Sequence, residues 1–242
     1  MGVKYKLFIV REDGENYGNI DLRSDVGNIG VYSTQGVGKN FGTINVGTSD
    51  VINKFYGIGI ATGYYNEATK VTTNMGTVEN HGTINVSDDN SVGMYASGSS
   101  AKAINRGTIN LKGNDTVGMY IDNHATGENY GTIQTTPTAS GTGIKGVVTK
   151  NGGIIKNYGT IHIAGGVGVY NEAASEYQVQ GTNTSTTASS VGTGVNRTVA
   201  EKSVVKTPAH PISSSGSSIS LIVNGLNKLR GKQFIHCFLK RG

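Results

Sequence analysis

Asp88, Asp89, Asp115 and Asp122 are the residues of this sequence whose type and spacing come nearest to chemistry. Two carboxyl groups flanking a glycosidic bond can serve as acid and base, or as acid and nucleophile, and cleave it. Asp88 or Asp89 in one copy of the repeat described below would lie above Asp115 in the next. Acidic residues in glycine-rich turns are ordinarily solvated, however, and these four are read that way. The five histidines, His81, His124, His162, His210 and His236, show no ligand spacing, and no H-E-x-x-H motif occurs. A single cysteine, Cys237, leaves neither an intrachain disulfide nor a cysteine-built metal site. No phosphate-binding glycine loop and no G-x-S-x-G is present. The expectation is a protein that is not an enzyme and uses no metal and no cofactor.

The elements that must position these residues are repeats. Asn80-His81-Gly82-Thr83-Ile84-Asn85-Val86 recurs as Asn40 to Val46 and as Asn105 to Leu111, with looser copies starting at Asn16, Asn129 and Asn157. The intervals between the six asparagines are 24, 40, 25, 24 and 28 residues. The interval of 40 holds an insertion, about residues 64–76. A second signal sits half a repeat later: Val92-Gly93-Met94-Tyr95, Val117-Gly118-Met119-Tyr120, Val167-Gly168-Val169-Tyr170 and Ile29-Gly30-Val31-Tyr32.

Ile84 and Val86 alternate with Thr83 and Asn85, which is strand periodicity. Glycine interrupts every segment, and no run repeats at three and four, so helices are excluded. Short strands in units of about 24 residues, with no helical connector, predict an all-β chain folded as a right-handed parallel β-helix, one repeat per coil. Equivalent residues then stack. Asn16, Asn40, Asn80, Asn105, Asn129 and Asn157 are predicted to form an amide ladder. Gly18, Gly42, Gly82, Gly107, Gly131 and Gly159 are predicted to close the turn with a positive φ. The isoleucines and valines would form inward ladders. His81, Arg106, Tyr130 and Tyr158 share a variable slot with Tyr17 and Phe41, read as a half-exposed contact surface. Tyr95 and Tyr120 share another with Tyr32 and Tyr170. The tyrosine columns suit inward packing or outward contact with proteins or sugars, and both orientations stay open.

Composition fits this reading. The chain has 37 glycines and no Trp in 242 residues, and glycine beside β-branched residues signals many turns between short strands. Residues 196–242 carry eight basic residues and one acidic, whereas residues 1–195 carry 13 basic and 15 acidic. The basicity belongs to the tail, so no nucleic-acid partner is expected for the repeats. No apolar stretch reaches membrane-span length, and the run Leu7 to Val10 is short for an export signal. Four regions are expected: a lead-in strand over 1–14 (Tyr5 to Val10), the β-helix over 15–175, a Ser/Thr/Gly-rich region over 176–225 that is poorly ordered or a worn continuation, and a basic tail over 226–242 that reads as out of frame.

Together, N-x-G-T-I-x-V and S-V-G-M-Y resemble the passenger-domain repeats of large bacterial autotransporter adhesins of the fusobacterial type, over about residues 15–171. The resemblance implies a β-helical stalk at the cell surface or outer membrane, or secreted, that adheres to host cells or other bacteria through an unidentified surface protein or glycan. The sequence is shorter than that family, without its barrel or an evident export signal, and reads as a fragment. A polysaccharide-active enzyme or its remnant, and a non-functional truncated product, are the alternatives. Self-association through open β-helix ends is expected.

Overall fold

The computed structural model describes residues 8–24, 26–66 and 68–198. The expected basic tail, most of the 176–225 region and residues 5–7 of the lead-in strand lie outside the described residues.

Three parallel sheets wrap one core. Sheet I contains Phe8–Val10, Ile29–Ser33, Ile58–Thr62, Val92–Ser97, Val117–Asp122, Lys145–Thr149, Val167–Asn171 and Ala188–Val191. Sheet II contains Gly14–Asn16, Val37–Asn40, Thr77–Asn80, Lys102–Asn105, Thr126–Asn129, Ile154–Asn157, Glu176–Val179 and Val195–Thr198. Sheet III contains Asn19–Asp21, Thr43–Val46, Thr83–Val86, Thr108–Leu111, Thr132–Thr135, Thr160–His162 and Thr182–Asn183. The chain passes from sheet II through the Asn-x-Gly corner to sheet III, then by a loop to sheet I, and by a second loop back to sheet II one coil on. This is a parallel β-helix of about seven coils, with no helical segment among the described residues.

Register follows the repeat residue for residue. Thr83-Ile84-Asn85-Val86 pairs with Thr43-Ile44-Asn45-Val46 on one side and Thr108-Ile109-Asn110-Leu111 on the other. Inward alternate positions build the core: Ile44, Ile84, Ile109, Ile133 and Ile161 from sheet III, Val31, Ile60, Met94, Met119, Val147 and Val169 from sheet I, and Val78, Ala103 and Ile155 from sheet II, all fully buried. Burying one such side chain contributes about 1.5–3 kcal/mol, and a parallel sheet needs that burial because it offers no hairpin to hold neighbouring strands together.

The motif glycines are needed for a different reason from the expected one. None of Gly18, Gly42, Gly82, Gly107, Gly131 and Gly159 has a positive φ. They stack on one another: a Cβ on Gly107 would fall far inside contact distance of the Gly82 carbonyl oxygen, and the same holds for Gly42, Gly82, Gly131 and Gly159 over the coil below. Close approach of backbones, not turn dihedral, selects glycine here. The glycine of the second signal answers to the same constraint. A Cβ on Gly93 would lie 2.7 Å from the Gly118 carbonyl oxygen and 2.9 Å from Ile109 Cγ2.

The coils continue past residue 175. Glu176–Val179, Thr182–Asn183, Ala188–Val191 and Val195–Thr198 add a further turn in register. Its first strand still packs Tyr177 and Val179 on the core, but the inward positions that follow are polar. Asn183 lies beyond Ile161, Ser190 beyond Val169 and Asn196 beyond Tyr177. These side chains bond among themselves and to the coil below: Asn171 Nδ2 donates to Asn196 Oδ1 at 3.1 Å, Asn196 Nδ2 to Ser190 Oγ at 3.2 Å, and Ser185 Oγ to Asn183 Oδ1 at 2.9 Å. Among the described residues, 183–196 thus place a hydrogen-bonded polar layer over the apolar core, the property a capping repeat requires.

Candidate contact surface

The sheet II strands from Gly14–Asn16 to Ile154–Asn157 each end at the motif asparagine, because that residue bonds in two ways at once. The carbonyl of Asn80 accepts both Arg106 N–H at 2.7 Å and Gly107 N–H at 2.8 Å, which turns the chain at the corner; the carbonyls of Asn40, Asn105 and Asn129 do the same. The side chains run up the core. Asn16 Nδ2 donates to Asn40 Oδ1 at 2.8 Å, Asn40 to Asn80 at 2.9 Å, Asn80 to Asn105 at 2.9 Å, Asn105 to Asn129 at 2.8 Å and Asn129 to Asn157 at 2.8 Å. Asn40 through Asn157 are fully buried. In the next coil Val179 holds that register position, and Asn157 Nδ2 turns to the Thr182 carbonyl at 3.4 Å. A second ladder runs outside sheet III with reversed sense: Asn85 Nδ2 donates to Asn45 Oδ1 at 2.9 Å, Asn110 to Asn85 at 3.0 Å and Gln134 Nε2 to Asn110 at 3.1 Å. Both ladders hold the scaffold; neither presents a reactive group.

The variable slot lies outside the same corner, as a stack. Tyr17 and Phe41 are 5.0 Å apart at 8°, Phe41 and His81 4.6 Å at 24°, and Tyr130 and Tyr158 4.8 Å at 13°, while Arg106 lies 4.6 Å over the Tyr130 ring. Carboxylates of sheet II line this column. Glu79 meets His81 Nε2 at 2.7 Å, Tyr17 donates to Glu15 at 2.6 Å and Tyr130 to Glu128 at 3.0 Å; Glu128 also pairs with Lys102 at 3.0 Å. The His81 hydrogen bond holds Glu79 below the ordinary carboxylate range, against the opposing effect of burial. Desolvation, reinforced by Glu15 and Glu128 respectively, pushes the Tyr17 and Tyr130 phenols up to about 12. Because the rings face each other along the axis, their faces are already occupied. Between stacked partners only the ring edges are offered to solvent.

Tyr95 and Tyr120 point outward from sheet I, with rings 5.8 Å apart and tilted 33°. Desolvation, then Asp122, raises the Tyr120 phenol. They belong to an apolar outer cluster of Val92, Val117 and Val148, joined by Ile58 and Tyr170. In register, the outer column reads Tyr32, Ala61, Tyr95, Tyr120, Val148, Tyr170. The sequence left the direction of these tyrosines open; the neighbouring Met94 and Met119 take the inward positions. Seven of the nine large exposed apolar residues, Val26, Val51, Ile52, Phe55, Tyr56, Tyr64 and Val71, lie between residues 26 and 71. Nearly all sit in the loop before Ile58–Thr62 or the antiparallel hairpin Tyr64–Asn66/Val71–Thr73 after it.

The aspartates are not brought together as expected. Asp89 lies against Asn114, not Asp115: its Oδ1 accepts Asn114 N–H at 2.7 Å and its Oδ2 accepts Asn114 Nδ2 at 3.0 Å, which holds its carboxyl below the usual range. Asp88 accepts from Thr48 Oγ1 at 3.1 Å. Asp122 ends a sheet I strand instead of lying in the loop after sheet III, and accepts Asn151 Nδ2 at 2.8 Å. Among the described residues no group of three or more His, Cys, Asp or Glu could hold a metal ion, and no helix is long and apolar enough to cross a membrane.

Fold and surface define the class: a parallel β-helical repeat domain whose side chains form axial ladders. Residues 12–131 match the family described as the BigA third pectate lyase-like domain, 120 of the 242 residues of the chain. Over that region the chain is similar to a pectate lyase-like β-helix. No curated protein and no solved structure matches it.

Proposed function

We propose that this chain is part of a bacterial surface protein in which the β-helix acts as an adhesive and structural stalk. The observation that carries this is the register: each coil sets its outward side chains directly over those of the coil before, so the surface consists of axial stripes of rings, amides and apolar residues. Such stripes suit extended contact with another macromolecule. The similarity to the BigA domain supports a surface-protein repeat. The finer reading is a passenger of the fusobacterial autotransporter type, exposed outside the outer membrane and adhering to host cells or other bacteria. Antibody raised against the purified chain should label intact bacteria, and beads coated with the chain should adhere to cells. Labelling only after permeabilisation, or coated beads that adhere no better than bare ones, would refute the proposal.

The similarity of residues 12–131 to a pectate lyase-like domain favours a second reading, a polysaccharide-active enzyme. The hydrogen bonding of Asp89 and Asp122 to asparagine amides weighs against it. Turnover of polygalacturonate that disappears on Asp122→Asn would establish it.

A further inference from the structure

We propose that Asn151-Gly152 is a self-modification site, at which the Gly152 nitrogen attacks the Asn151 side chain, with the His124 imidazole as base, and converts the asparagine to aspartate and isoaspartate. The inference stands independently of the surface role, since it concerns chemistry within the chain alone.

The site lies where the chain turns from sheet I to sheet II. Gly153 N–H donates to the Lys150 carbonyl at 2.8 Å and closes a four-residue turn. Both central residues have positive φ, 46° at Asn151 and 79° at Gly152. Asn-Gly is the pair such a turn prefers. It is also the pair most open to ring closure, because a glycine carries no side chain to shield its nitrogen from the carboxamide before it. In the coil below, Asp122 to Ala125 build the same turn, with positive φ at Asn123 and His124.

Three observations single out Asn151. The first is a free attacking nitrogen. Among the described residues the Gly152 N–H makes no hydrogen bond. One coil below, the corresponding nitrogen is engaged: His124 N–H donates to the Asn151 carbonyl at 3.1 Å, which protects Asn123. The second is a base at hand. The His124 ring lies against Gly152, where a Cβ would fall inside contact distance of His124 Nδ1 and 2.5 Å from its Cε1. Only glycine leaves room for the ring there, and its absence of a side chain brings an imidazole nitrogen up to the Gly152 backbone. His124 and Asn151 are both exposed, so water reaches them. The third is a held side chain. Asn151 Nδ2 donates to Asp122 Oδ1 at 2.8 Å, and the same oxygen accepts Asn123 N–H at 2.9 Å. Asp122 is therefore a positioning residue that keeps the carboxamide at the turn.

In the reaction, the bond from Gly152 N to Asn151 Cγ forms within one chain, where proximity replaces a collision. The imidazole takes the proton of that nitrogen and returns it to the leaving amide nitrogen, so ammonia departs and a succinimide remains. Water then opens the ring at either carbonyl, giving aspartate or isoaspartate. The new carboxylate faces Asp122 where the amide had bonded it. Isoaspartate also lengthens the main chain of a turn that rests on the coil below through Lys150 N–H and the Ile121 carbonyl, 2.9 Å apart. Conversion thus loosens this corner of the coil.

The full chain held in warm neutral buffer made with heavy-oxygen water, then digested in ordinary water, should carry the heavy oxygen at residue 151. Peptide mapping should find aspartate and isoaspartate there and an unchanged Asn123. Conversion should run faster in the folded chain than in the chain unfolded in urea. His124→Ala should slow it by about tenfold or more, and free imidazole in the buffer should restore it, which a merely structural role for His124 would not allow. Hydrogen exchange at the Lys150 amide should be faster in the converted chain. An Asn151 that persists, that converts no faster folded than unfolded, or that converts equally fast in His124→Ala would each overturn the proposal, and unchanged exchange at Lys150 would overturn the loosening. The comparison with urea uses the unsubstituted chain, so it decides even if the variant folds poorly.

Discussion

Asn105 is the residue on which the scaffold can be tested most directly. Its amide bonds Asn80 below and Asn129 above inside the core, so Asn105→Ala removes two buried hydrogen bonds, leaving Asn80 Nδ2 only its longer bonds to the Gly82 and Thr108 carbonyls. Each lost bond costs about 1–3 kcal/mol, and urea unfolding should show a loss of about 3 kcal/mol. Glu79 provides a pH test. Its folded-state value is depressed by His81, so the stability it supplies is complete above the unfolded value near ~4.3. That stability fades as pH falls through the folded value. Glu79→Gln should flatten the acid limb of stability against pH while leaving the neutral region with only the cost of the altered hydrogen bond to His81. Tyr17 and Tyr130 titrate the other way, their raised values favouring the neutral phenol. Their contribution is complete below ~10 and is lost as pH rises through about 12, which phenolate absorbance in Tyr17→Phe and Tyr130→Phe variants would register. The amide ladder was legible in the sequence because six asparagines keep a fixed relation to Thr-Ile. The reason for the glycines was not, since a positive φ and a stacked carbonyl select the same residue.

At the scale of elements, the hairpin Tyr64–Thr73 is an addition to its coil. Gly63 N–H donates to the Asn74 carbonyl at 2.9 Å and closes its base, and Gly76 N–H donates to Thr62 Oγ1 at 2.7 Å. Replacing residues 65–72 by a short glycine link should change unfolding free energy by less than about 1 kcal/mol, as urea unfolding would measure. The strands of sheet III could be read at once, because Ile and Val alternate with Thr and Asn. Sheet I was harder. Its strands are apolar on both faces, so Val92-Gly93-Met94-Tyr95 offers no alternation to say which way the tyrosine points. The pairing of Asp89 with Asn114 was hidden too, because it depends on how loops between sheets III and I align, and the repeat leaves those loops free to vary.

For the whole molecule, each coil rests on its two neighbours, so stability accumulates coil by coil. The polar layer of Asn183, Ser190 and Asn196 accordingly matters beyond its own bonds. A chain ending at residue 175 would uncover Ile161 and Val169, and light scattering should show it aggregating where the full chain stays dispersed; a dispersed truncated chain would mean the layer is dispensable. The pattern faded from view after Asn171 for this same reason, since a cap replaces the apolar residues that make a repeat visible. The two amide ladders carry one more implication. The buried ladder donates in the direction of the chain and the outer one against it. The advancing end of a growing β-helix thus always holds out a donor inside and an acceptor outside. A new coil meets it like a two-pin connector, matched when its inner side chain accepts and its outer side chain donates; where Val179 cannot accept, the Asn157 donor turns to the Thr182 carbonyl instead. An aspartate at the inner position would seat on the coil before it but offer no donor to its successor, so a single Asn→Asp change ends the ladder at that coil without ending the helix.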